Sequence, residues 1–261
     1  MFTKFKVVFV GTWAWLAFAG QAFASVPSEE LLKEANQLYQ EYKDGEALVK
    51  FELVLNQEPK SYEALYKISL LDIRIGSRFA DETQKLQYFT LARDYARKAL
   101  DVNPYGADAH YVMAAALNNL TLVSGLKQRI SYIKEVKMHL DKALAIDPYH
   151  AASWQLMGRW HYKAANLNFV ECTASKLFIG NVPVGASNYN AIEALKKSIL
   201  YNPQNISSYY DLAIIYRDMR SKEMSIQILE QALTLQLITS EDLELSRRCK
   251  TLLHSLGKVS V

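Results

Sequence analysis

The chain has 261 residues, 50% of them hydrophobic, with 30 basic and 27 acidic side chains and a formal net charge of +3. This is a globular composition: disordered chains carry fewer apolar residues and a larger net charge, and 10 Gly with 6 Pro exclude collagen-like and low-complexity chains. The near balance of charge argues against nucleic acid as a partner, and 2 Cys cannot build a disulfide scaffold or a four-cysteine zinc site.

Residues 1–24 read as a secretory signal peptide. Lys4 and Lys6 precede an apolar run from Val7 to Gly20, and Ala22-Phe23-Ala24 supplies a small-x-small ending before Ser25. The run is short for a membrane span, which needs roughly 20 residues. The expectation is therefore cleavage after Ala24 rather than retention as an anchor. That leaves a single periplasmic or secreted domain, residues 25–261, with no integral membrane span.

Four segments then repeat one pattern, an apolar helix end followed by a stop: Val54 to Pro59, Ala99 to Pro104, Ala143 to Pro148 and Ser198 to Pro203. A fifth, Ala232 to Leu237, lacks the Pro. Proline removes an N–H and disfavours helix in the residue before it, so each Pro punctuates a helix. Small residues recur upstream, as in Ala92, Ala96 and Ala99, or Ala191 and Ser198, where paired helices must approach closely. Trp154, Met157, Gly158 and His161, and then Tyr209, Leu212, Ala213 and Tyr216, fill the first-helix positions of a tetratricopeptide repeat. The successive intervals Pro59 to Pro104, Pro104 to Pro148 and Pro148 to Pro203 are 45, 44 and 55 residues, against about 34 for the standard repeat. The first two excesses predict elongated helices, because apolar periodicity continues from Tyr62 to Ile75 and from Leu86 to Leu100. The third predicts a short inserted helix with Val170, Ala174, Leu177 and Phe178 on one face, then a loop at Gly180, Pro183 and Gly185. At the end, Thr239 or Ser240 caps a last helix with Leu243, Cys249, Leu252, Leu253 and Leu256 on its apolar face, closed by Gly257. The fold class is all-α: a tetratricopeptide-like α-solenoid of about five hairpins with one inserted helix and a capping helix.

No metalloprotease, P-loop, C-x-x-C or nucleophile-elbow motif is present, and the five His are not at metal-ligand spacing. His161 holds a packing position. Ser-x-x-Lys occurs at Ser124, Ser131 and Ser255 without its companion Lys-Thr-Gly, so it carries no argument for an active serine. Cys172 and Cys249 either pair in an oxidising compartment or remain two buried thiols; the second is the simpler reading. No cofactor or metal is expected.

The surface that can carry function is the inner one, lined by the first helix of each hairpin. The repeat alignment turns Tyr39, Tyr66, Tyr111, Asn118, Gln155, Arg159, Tyr162, Tyr210 and Arg217 inward, with Lys163 nearby. Tyrosine joins a large apolar body to a hydroxyl, and Arg grips carboxylates or phosphates. The alternative is that these tyrosines pack between helices and the charges are solvated.

Leu156 to Tyr162, including Gly158, Arg159, Trp160 and Tyr162, then Phe178, Gly180 and Pro183, then Ala191 to Pro203, resemble the regulator of microtubule dynamics protein family. Ile238 to Leu243 resembles that family's closing helix, and the resemblance covers Tyr88 to Leu256. It implies a tetratricopeptide-like domain without enzymatic activity. Its eukaryotic members are associated with microtubules or with membrane contact sites, where a hydrophobic groove holds lipid. A signal peptide places this chain away from cytoplasmic microtubules and leaves groove binding as the part that carries over. The expected function is an exported, non-catalytic scaffold that binds a protein or peptide on its concave face. The alternative is a carrier of a lipid-like ligand in a groove closed by the 168–187 insertion, with Arg159 and Arg217 at the polar end.

Overall fold

The computed structural model describes residues 26–179 and 185–257. Among these, twelve helices form five antiparallel hairpins, an insertion and a cap. The hairpins are α1 (Ser28–Gln40) with α2 (Asp44–Gln57), α3 (Tyr62–Arg78) with α4 (Glu82–Val102), and α5 (Ala107–Val123) with α6 (Leu126–Ile146). α7 (Ala151–Ala165) pairs with α9 (Asn188–Tyr201) across the inserted α8 (Phe169–Ile179), and α10 (Ile206–Asp218) pairs with α11 (Lys222–Leu233) before the capping α12 (Ser240–Ser255). The predicted lengthening is present: α3 and α5 have 17 residues and α4 and α6 have 21, against 13 and 14 for α1 and α2.

The stops work as the sequence implies. Pro59, Pro104, Pro148 and Pro203 each stand two residues beyond a helix end. In the last three turns the intervening Asn103, Asp147 or Asn202 side chain accepts the N–H two residues on, at 3.1, 2.9 and 3.3 Å, which closes an Asx turn. The connections within the first and last hairpins instead use a residue in the left-handed region, Tyr42 (φ 57°) and Arg220 (φ 62°). α12 begins with a reciprocal capping box between Thr239 and Asp242, and Gly257 (φ 77°) follows its end.

The small residues are where the hairpins touch. Ala92, Ala96 and Ala99 of α4 are fully buried where it packs against α3 and α5. Ser69 Oγ donates to the Ala92 carbonyl at 2.8 Å, Ser198 Oγ to that of Ala151 at 2.9 Å, and Ser225 Oγ to that of Ala213 at 2.8 Å. A hydroxyl is therefore accommodated in each of these tight seams with its hydrogen bond satisfied. α5 is apolar almost all round because α3, α4, α6 and α7 all pack against it.

The insertion departs from expectation in its packing. Of Val170, Ala174 and Leu177, only Ala174 is buried, because a methyl side chain lets α8 lie close on α6. Val170 is 60% and Leu177 75% exposed. The described part of the insertion thus rests on α6, the second helix of the preceding hairpin, rather than over the inner face. The Phe178 side chain, Gly180, Pro183 and the signal peptide lie outside the described residues.

Candidate functional site

The first helices α3, α5, α7 and α10 pack against one another in sequence and form the inner layer. Their side chains fall into two groups, one locked into joints between hairpins and one left facing the inner space.

The Gly158-Arg159-Trp160 segment is a joint of three hairpins. A Cβ on Gly158 would stand 2.6 Å from Leu195 Cγ and 3.1 Å from the Ala191 carbonyl oxygen, so α7 and α9 meet where only hydrogen fits. Trp160 is buried and donates Nε1–H to the Ile133 carbonyl of α6 at 2.7 Å. Arg159 donates to Asp211 Oδ2 at 2.6 Å and to Ser207 Oγ at 2.7 Å, both on α10. Gln155 donates to Ser207 and Asp211 and accepts from Asn205. Tyr162 donates its hydroxyl to Asp218, and Arg217 pairs with the same carboxylate at 2.7 Å. Burial and then the Asp218 carboxylate push the Tyr162 hydroxyl up to about 12. Four of the residues read from sequence as ligand contacts, Gln155, Arg159, Tyr162 and Arg217, therefore already have partners within the chain. Spacing along α7 and α10 put them on the inner side; it could not show that Asp211 and Asp218 of α10 stand against them.

The second group is differently placed. Tyr111 is half-buried, and burial, with Tyr39 close by, pushes its hydroxyl up to about 12 against the opposing pull of Arg159. Tyr66 is raised by burial too, with Asp108, Glu63, Tyr62 and Tyr39 adding to it. Tyr39 of α1 and Tyr66 of α3 meet at one lysine, and the fields of Tyr39 and Arg159 reach Tyr111 of α5. No hydrogen bond among the described residues engages the hydroxyls of Tyr66, Tyr111 or Tyr210. Asn118 is half-buried on the same layer, and Lys163 donates to Thr121 Oγ1 at 3.2 Å, its ammonium pulled below the usual range by desolvation.

Lys67, on α3, was not among the residues that the repeat alignment selected. Its Nζ stands 4.1 Å from the centroid of the Tyr39 ring and 5.8 Å from that of Tyr66. Further along α3, Arg74 and Arg78 hold the buried carboxylate of Asp44 at 2.5 and 2.7 Å, and Arg78 also takes Glu241 of α12 at 2.7 Å. The cap thereby reaches the second hairpin, 163 residues away in sequence. A cleft of about 520 Å³ opens there, lined by Arg78, Arg159, Glu241, Glu244, Leu245 and Arg248, among others.

The titratable groups outside this face form no metal centre. Among the described residues, no three His, Cys, Asp or Glu side chains are placed to hold an ion, and no helix is long and apolar enough to cross a membrane. His161 packs edge-on against Trp160 with its Nδ1 buried and unpartnered among the described residues. Cys172 is half-buried on α8 and Cys249 buried in α12, both free thiols.

Helix order, seam residues and inner layer define the class: a tetratricopeptide-like α-solenoid. A solved thermophilic TPR protein of Thermus thermophilus superposes with a TM-score of 0.63 over 87% of this chain and 100% of that one, at 19% identity, a likeness of fold. The model of the family "Regulator of microtubule dynamics protein 1-3" matches residues 31–257, and the chain belongs to that family. The mouse regulator of microtubule dynamics protein 1 is 25% identical over 98% of this chain and 84% of its own length. The bovine protein 2 is 24% identical over 80% of this chain and 52% of its own.

Proposed function

We propose that the protein is an exported, non-catalytic scaffold that holds a peptide or protein segment along its inner face, without a cofactor. The observation that carries this reading is the line of tyrosines on successive first helices, with the hydroxyls of Tyr66, Tyr111 and Tyr210 unengaged among the described residues. Such side chains give large contact areas and hydrogen bonds for little lost conformational entropy. The cleft beside α12 is lined chiefly by charged and hydroxyl side chains, which favours a polar partner over an acyl chain.

Affinity capture with wild type and Tyr111→Ala tests this. The variant is expected to stay folded and to lose its partner by roughly tenfold or more, the effect of an interface anchor. A folded variant that retains every partner would place the binding surface elsewhere. Export rests on residues 1–24, and N-terminal sequencing of the protein recovered from outside the cytoplasm should read from Ser25. Recovery with Met1 intact contradicts cleavage.

A further inference from the structure

α3 turns a row of three cations toward the inner side of the solenoid, and the chain itself gives carboxylates to two of them. Arg74 holds Asp44, and Arg78 holds Asp44 and Glu241. Lys67 lies seven residues before Arg74, about two turns away on the same side of the helix. It forms no ion pair or hydrogen bond among the described residues and meets the faces of Tyr39 and Tyr66 instead. The fields of Glu63 and Asp108 reach it, but neither carboxylate is in contact with it. Ring faces compensate a half-buried ammonium only in part, and they leave its three N–H donors unused.

Resting on the scaffold reading above, we infer that Lys67 anchors a carboxylate of the bound segment, so that the partner is an acidic peptide. Asp44 and Glu241 show which chemistry this strip of α3 accepts: single carboxylates, one from α2 and one from α12. An acid entering beside Lys67 continues that row. It also arrives beside Tyr39 and Tyr66, the rings that Lys67 meets, and the hydroxyl of Tyr66 is unengaged among the described residues. Tyr39 helps to keep the ammonium in place, because its ring meets both Lys67 and Arg74, 4.1 and 5.0 Å from its centroid.

A random-peptide display library panned on the purified protein tests the inference, alongside Lys67→Arg, Lys67→Met and Lys67→Glu variants shown to be folded by their thermal melts. Wild type and Lys67→Arg should enrich peptides carrying Asp or Glu. An enriched peptide should bind Lys67→Met and Lys67→Glu roughly tenfold or more weakly, and its Asn/Gln counterpart should bind wild type as weakly. Enriched peptides with no acid preference, lost in Tyr111→Ala but not in Lys67→Met, would overturn the role of Lys67 and leave the scaffold standing. A library from which wild type enriches nothing would remove both. Lys67-dependent binding to phosphatidylcholine vesicles containing phosphatidylglycerol, with no acidic peptide enriched, would assign the cation to a lipid phosphate and overturn the peptide.

Discussion

A buried aspartate and a half-buried histidine set opposing pH dependences. Asp72 on α3 is 3% exposed, its Oδ2 meets no donor among the described residues, and burial, with Glu52 adding, pushes its carboxyl up to about 7. A carboxyl raised in the fold costs nothing below its unfolded value and destabilises progressively as pH climbs from about 4 to about 7. His139 behaves in the other sense. His110 donates Nε2–H to the Pro104 carbonyl at 3.0 Å, so its Nδ1 must accept, and His139 Nδ1–H donates to it across 2.9 Å. Burial, then His110 and Lys142, press His139 down to about 4. Stability from that neutral imidazole is therefore lost as pH falls from about 6.5 toward 4. Denaturant unfolding separates the two. Asp72→Asn should gain on the order of 2 kcal/mol over wild type at pH 8 and little at pH 4. His139→Phe should flatten the acid limb and leave the alkaline one. Parallel curves for wild type and both variants would contradict these assignments.

At the scale of the element, the sharpest claim concerns the α7–α9 seam. Because a Cβ at Gly158 meets a backbone oxygen as well as Leu195, Gly158→Ala cannot be absorbed by one rotamer change. It should cost about 1–3 kcal/mol in chemical unfolding despite the better helix propensity of Ala. An unchanged midpoint would mean that the helices are farther apart. Most elements were legible because their signals are local: Pro two residues past each stop, small residues on the seam, Thr239 and Asp242 at the cap. The packing of α8 was not, because an apolar face in sequence names no partner, and only Ala174 is small enough to sit on α6. The site was half legible for the same reason. Period and repeat register turn Tyr66, Tyr111 and Tyr210 inward. They do not reveal that Asp211 and Asp218 neutralise Arg159 and Arg217, or that Lys67 stands against aromatic rings with no carboxylate in contact with it among the described residues.

On the scale of the whole molecule, curvature brings the two ends of the function together. α12 does more than cover the last hairpin: through Glu241 it reaches Arg78, whose other partner is the buried Asp44. A lone carboxylate at Asp44 would be strongly unfavourable, and of the two arginines that neutralise it, Arg78 also fixes where the cap lands. The inner surface is thus bounded by α3, α5 and α7 on its wall and by α12 at one edge, with its tyrosines in register across four hairpins. The outer surface carries dispersed apolar side chains such as Leu53 and Leu200, 41% and 71% exposed, which are normal for a solvated face. Site-specific photo-crosslinking in cells, with a benzophenone amino acid placed at Tyr111 or Tyr66 inside and at Leu53 or Leu200 outside, decides between the two surfaces. A crosslinked partner from the inner positions and none from the outer ones is the expected result; crosslinks from Leu53 or Leu200 with none from Tyr66 or Tyr111 would contradict the inner face as the binding surface.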